Sequence, residues 1–100
     1  MPAVTRLGDN STGHGDWPPT LMITTPVQKT FFNGILAGVV NSQCEWAAHS
    51  DAHTTHPASS RYPTHGASKT YIEGNLAARI GDDLADGDAI GAGSSNSFIE

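Results

Sequence analysis

Two stretches of this sequence repeat each other at a constant offset of 40 residues. Lys29-Thr30-Phe31-Phe32-Asn33-Gly34-Ile35-Leu36-Ala37 reads onto Lys69-Thr70-Tyr71-Ile72-Glu73-Gly74-Asn75-Leu76-Ala77 with no gap. Such a repeat commits both copies to one local structure. In each copy a short β-prone run meets a two-residue turn, Asn33-Gly34 or Glu73-Gly74, and a second short run follows, which is the pattern of a β-hairpin. Partial copies flank the pair. Arg6-Leu7-Gly8-Asp9 matches Arg79-Ile80-Gly81-Asp82, and Gly93 to Glu100 resembles the start of a unit. Three corners are therefore expected, at Gly8-Asp9, Asn41-Ser42 and Gly81-Asp82. No long window carries a helical period. The expectation is one small all-β domain of short hairpins arranged about a pseudo-symmetry axis.

A fold of this kind has little to hold it together. Hydrophobic residues make up 37% of 100 residues and charged residues 15%, and Gly, Ser, Thr, Asn, His and Pro fill the difference. A small core calls for a staple. Cys44 is the only cysteine, so no internal disulfide can form. Metal is the next candidate, because the chain carries five histidines. A net charge of −5 with only five Lys and Arg argues against nucleic acid as a partner. The longest apolar stretch, Ile35 to Val40, is too short to span a bilayer, and no apolar run at the start suggests a signal peptide.

Each corner leads to a possible ligand. Gly8-Asp9 is followed by His14, Asn41-Ser42 by His49, and Gly81-Asp82 by Asp86. Equivalent loops gather at one end of a pseudo-symmetric fold, which would bring His14, His49 and Asp86 together. His53 and His56 follow close behind His49. A closed structural zinc site takes four N, S or O ligands, and three imidazoles with one further group suit it. His49, His53 and His56 would share a helix face, but Pro57, Thr54 and Thr55 disfavour a helix and His-Glu-x-x-His is absent. Cys44 could be a thiolate ligand or a buried free cysteine. The acidic run from Asp82 to Asp88 misses the spacing of a calcium loop.

Taken in order, Arg6-Leu7-Gly8-Asp9 to Thr12-Gly13-His14, Phe32-Asn33-Gly34, Leu76-Ala77-Ala78-Arg79-Ile80-Gly81-Asp82 and Gly93-Ser94-Ser95-Asn96 resemble the PAAR family. The resemblance covers nearly the whole chain. Members of that family cap the spikes of phage tails and type VI secretion systems. The resemblance implies a small cone of β-hairpins with pseudo-threefold repeats, stapled by one metal ion near its point and seated on a trimeric β-helical spike. Three histidines and a cysteine commonly hold zinc in the family. By motif His14 is the first histidine and His49 the second. His56 fits the third better than His65, since it stands 18 residues before Gly74, much as His14 stands 20 before Gly34. The cysteine position falls on Asp86, with His53 and Cys44 as alternative fourth ligands and iron as the alternative to zinc. Leu76 replaces the namesake proline, and the middle corner reads Val39-Val40-Asn41-Ser42 instead of Arg-x-Gly-Asp.

The function implied is structural. The chain would cap the trimeric central spike of a contractile injection machine, one copy per trimer. It would ride at the tip of a phage tail, in the virion, and touch the target-cell membrane only in passing as it pierces it. A type VI secretion tip is the alternative placement. The rival from another class is a small metal-dependent hydrolase, for which Glu45 is the only nearby acid.

Overall fold

The computed structural model describes residues 1–100. It is almost entirely β-structure in very short pieces: β1 (Met22–Thr24), β2 (Phe31–Phe32), β3 (Ile35–Leu36), β4 (Glu45–Trp46), β5 (His49–Ser50), β6 (Thr55–His56), β7 (Tyr71–Ile72) and β8 (Asn75–Leu76), with one 3₁₀ turn at Ala58–Ser60. These form four two-stranded antiparallel sheets, β1–β4, β2–β3, β5–β6 and β7–β8. Only 9 of the 42 backbone hydrogen bonds lie within these elements. The fold is therefore held by bonds between loops more than by ladders.

The two repeat copies are hairpins in the same register. Phe31 pairs with Leu36 and Phe32 with Ile35; Tyr71 pairs with Leu76 and Ile72 with Asn75. Asn33 and Gly34 both have positive φ, as do Glu73 and Gly74. A two-residue type I′ hairpin turn demands this, and it matches the twist of the strands it joins. Phe98 forms a single antiparallel bridge with Ala3.

Behind the hairpins, three backbone bonds close a ring. Thr5 N–H donates to Ala78 (3.0 Å), Ala78 to Gly38 (3.1 Å) and Gly38 to Thr5 (2.9 Å). One step further on, Leu7 donates to Leu36, Val40 to Leu76 and Ile80 to Ala3, all at 2.8–2.9 Å. The side chains inside are small: Val4, Ala37, Val39, Ala67, Ala77 and Ala78 are buried, with Trp46 the largest residue in the core. The Trp46 indole N–H reaches the Asp9 carbonyl at 3.0 Å.

Two of the expected corners are alike. In each, the Asp amide donates to the Arg carbonyl, Asp9 to Arg6 at 2.9 Å and Asp82 to Arg79 at 3.1 Å. Gly8 and Gly81 both sit at φ +92, the geometry a type II turn requires of its third residue. Each Asp carboxylate then takes its own Arg in a fork. Arg6 Nε and Nη2 donate to Asp9 at 3.0 and 3.2 Å, and Arg79 Nε and Nη2 to Asp82 at 3.1 and 2.9 Å. The middle corner differs. With no Arg and Asp to clamp it, Asn41 Oδ1 accepts the Gln43 amide and Nδ2 donates to Asn75.

The hairpin ends are latched by side chains. Glu73 accepts from the Gln28 and Lys29 amides and the Thr30 hydroxyl at 3.0–3.1 Å. Glu100 accepts from the Lys69 amide and Thr70 hydroxyl, and Asn33 engages Ser94 and Asn96. The Gln28 and Lys29 amides hold the Glu73 carboxyl below its ordinary value of 4.5, and the Thr70 hydroxyl with the Lys69 amide does the same for Glu100. A depressed carboxyl stabilises the fold above its unfolded pKa, and that stability is lost as pH falls through the lower folded value. The melting temperature should therefore drop below about pH 4.5. The Glu73→Gln/Glu100→Gln double variant should show a smaller drop between pH 6 and pH 3. Equal drops in the two proteins would show that the latches carry no charge-dependent stability.

Candidate metal centre

Four side chains that can ligate a metal converge: His14, His49, His56 and Asp86, with one ligand atom from each and all of these within 4.8 Å of one another. They arrive on three tight turns, His49 and His56 sharing one. His14 and Trp17 exchange both backbone bonds across Gly15-Asp16. His49 and His56 are a directly opposed pair in the β5–β6 hairpin. At the tip of that hairpin Asp51 Oδ1 accepts the His53 and Thr54 amides, a side-chain turn that needs no glycine. Asp86 sits in a turn in which Leu84 donates to Asp88 and Gly87 to Leu84.

The spacing suits one small cation. His14 Nε2 lies 3.3 Å from His49 Nε2. His49 Nε2 lies 3.0 Å from His56 Nδ1 and 3.1 Å from Asp86 Oδ2, and His56 Nδ1 lies 3.3 Å from Asp86 Oδ2. Ligands at roughly 2.0–2.1 Å from a tetrahedral ion stand about 3.3–3.4 Å apart. The protonation chemistry points the same way. His49 Nδ1 lies 3.0 Å from the Pro18 carbonyl oxygen. That oxygen can only accept, so Nδ1 carries the proton and a neutral ring turns its Nε2 lone pair into the group. A bare Nε2 lone pair facing two imidazole nitrogens and a carboxylate oxygen lacks a positive partner, whereas a central cation serves all four ligands at once. A backbone carbonyl holding the far ring nitrogen is the usual way a histidine ligand is oriented.

The group is sheltered. The His49 side chain is 0% exposed and that of Asp86 2%. Trp17 stacks on His14 and His56, with ring centroids 4.9 and 4.4 Å apart. Burial alone would raise the Asp86 carboxyl, but the Asp88 amide and the Arg61 guanidinium outweigh it and hold it below the ordinary value. Asp86 is thus poised as an anion.

The structure brings together His14, His49, His56 and Asp86 and leaves the other sequence candidates outside. Cys44 is buried in the core with its sulfur 3.7 Å from that of Met22, and burial raises its thiol pKa. It packs as a small apolar residue. His53 is exposed on the tip of the β5–β6 hairpin, and His65 is exposed beside Asp83. Sequence reasoning missed Arg61, which is fully buried against Asp86, and Trp17. The one signal for Arg61 was that it is the only arginine without a corner aspartate three residues on.

Metal analysis of purified variants checks the group. His14→Ala, His49→Ala, His56→Ala and Asp86→Ala should each lose most bound metal, while His53→Ala, His65→Ala and Cys44→Ala should keep it. Metal retained by His56→Ala and lost by His65→Ala would mean the long loop is threaded differently. No protein-family model and no curated protein matches the chain, so the reading of this centre rests on its own geometry.

Proposed function

We propose that the chain is a structural spike-tip protein of the PAAR type, capping the trimeric β-helical central spike of a contractile injection machine. The phage tail is the placement we favour. The observation that carries this reading is a set of three exposed aromatic rings at matched places. Phe31, Tyr71 and Phe98 are 55, 65 and 51% exposed, and each pairs across to the start of one segment of the backbone ring, at Leu36, Leu76 and Ala3. A trimeric partner presents the same surface three times. One chain can meet all three alike only if it carries three near-equivalent surfaces of its own. Exposed aromatics are also among the residues that anchor protein interfaces.

On this reading the ring and its matched bonds are a pseudo-threefold axis. The chain runs from each hairpin turn through the ring to a corner, and only then to a ligand: Gly34, Gly38, Asn41 and His49 in one segment, and Gly74, Ala78, Asp82 and Asp86 in another. That course, with overall dimensions of 38 × 23 × 22 Å, supports a cone with its broad base at the aromatic rings and the metal near the point. The base would close the free strand edges of the spike, and the point would lead it through a membrane.

The ion's role on this reading is structural. Zinc fits three imidazoles and one carboxylate oxygen in a closed four-ligand site, and iron is the alternative. A hydrolytic zinc keeps one position open beside a general base. Here Asp86 takes the fourth place, and Glu45 sits in β4 opposite Thr24, outside the group. The ion would hold the three ligand-bearing turns together.

Two measurements test the proposal. Native mass spectrometry of the chain with a co-expressed spike trimer should give one copy per trimer, and three copies would overturn the pseudo-threefold reading. Thermal melting with and without a strong chelator should separate a structural ion from an incidental one. With free metal at about 1,000 times its dissociation constant, binding contributes about 4 kcal/mol. In a domain of this size that raises Tm by roughly 16–32 °C. Equal melting temperatures would remove the structural role.

A further inference from the structure

We infer that Arg61 is the positioning residue of the metal centre: it restricts Asp86 to a single ligand oxygen and ties together the three loops that bring the ligands. The inference rests on the reading of His14, His49, His56 and Asp86 as a metal site. The Arg61 side chain is 0% exposed. An arginine has five N–H donors, and here there is an acceptor for each. Nε donates to Asp86 Oδ2 at 2.7 Å. Nη1 donates to the Thr20 hydroxyl and the Ala47 carbonyl. Nη2 donates to Asp88 Oδ2 at 2.5 Å and Ser11 Oγ at 3.4 Å. Ser11 and Thr20 flank the His14 turn, Ala47 precedes His49 by two residues, and Asp86 and Asp88 form the third loop. Every ligand-bearing segment is thus held by one planar group.

This clamp settles how Asp86 can act. Its Oδ1 accepts the Asp88 amide at 3.1 Å, and its Oδ2 is shared between Arg61 and the histidines. No second oxygen is free to swing toward an ion. The site therefore offers three nitrogens and one oxygen, which suits an ion content with four ligands and excludes one that demands six oxygens. Arg61 offsets one of the two buried carboxylates, which leaves one net negative charge facing a divalent cation held with three neutral imidazoles. Because Asp88 and the neutral oxygens hold Arg61 as well, the clamp persists when the metal is gone.

Removing Arg61 alone would strand two buried carboxylates, so the variant to use is Arg61→Met/Asp88→Asn, which removes a buried cation and a buried anion together. Zinc affinity by competition with a chromophoric chelator should fall about 10–100-fold, the usual effect of losing a partner behind a ligand. The visible spectrum of the cobalt(II)-loaded protein should also lose the intensity of four-coordinate cobalt as Asp86 becomes free to bind through both oxygens. Unchanged affinity and an unchanged cobalt spectrum would overturn the inference, even with a lowered Tm, which a purely structural arginine would also give. If the variant does not fold, the wild-type protein still decides. In the chelated protein the Arg61 Nε–H should exchange slowly with solvent, and fast exchange there would overturn the clamp. A wild-type protein that binds neither zinc nor cobalt would instead overturn the metal reading, and this role with it.

Discussion

The ring of backbone bonds through Thr5, Ala78 and Gly38 is the constraint from which the rest of the fold hangs. It has no strand long enough to propagate order, so it must fix the relative position of distant segments by three bonds and the small residues around them. Val4, Ala37, Val39, Ala77 and Ala78 allow the backbones to approach because their side chains are short. The same closeness limits the apolar area that can be buried, which is why polar groups carry so much of the structure. Forked Arg–Asp pairs fix two corners, carboxylates and an amide latch the hairpin ends, and Arg61 joins the three ligand loops.

Those polar devices divide by burial. The Arg6–Asp9 and Arg79–Asp82 pairs are local, partly exposed and reinforced by a backbone amide on the same carboxylate. They set turn geometry more than they add stability, since exposed pairs are worth little. Arg61 is the opposite case. Its two carboxylates are buried with it, where an unpaired charge is costly, so the three loops are coupled: none can shift without leaving a charge or a donor unsatisfied. The cluster of His14, His49, His56 and Asp86 sits directly on this network, and shelter from Trp17 completes it.

What could be read from the sequence was whatever depends on neighbours along the chain. Asn33-Gly34 announced its hairpin because only a few residues tolerate positive φ at both turn positions, and Glu73-Gly74, a weaker signal by itself, was carried by the 40-residue repeat. Gly8 and Gly81 announced their corners for the same reason. The opposition of His49 and His56 was hidden, since the turn between them is made by the Asp51 side chain and not by a glycine. Arg61 was hidden more deeply. Its partners lie in three separate loops, and nothing within a few residues of it marks a buried charge. The middle corner was legible as the one lacking Arg-x-Gly-Asp, and without an Arg–Asp fork Asn41 settles into a different turn.

The pairing of residues at the start of the sequence with those near its end has a kinetic consequence. Ala3 bonds across to Phe98, Val4 to Arg79 and Arg6 to Ala37, so the ring cannot close until most of the chain is available. Short hairpins such as 31–36 form in microseconds, but they are too small to persist alone. Closing loops of many tens of residues before any lasting reward makes folding slow for the chain's size. On the ribosome, residues 3–6 must wait for their partners at 37, 79 and 98 to emerge. Residues 3–6 therefore stay unpaired while the segments between them and those partners are made.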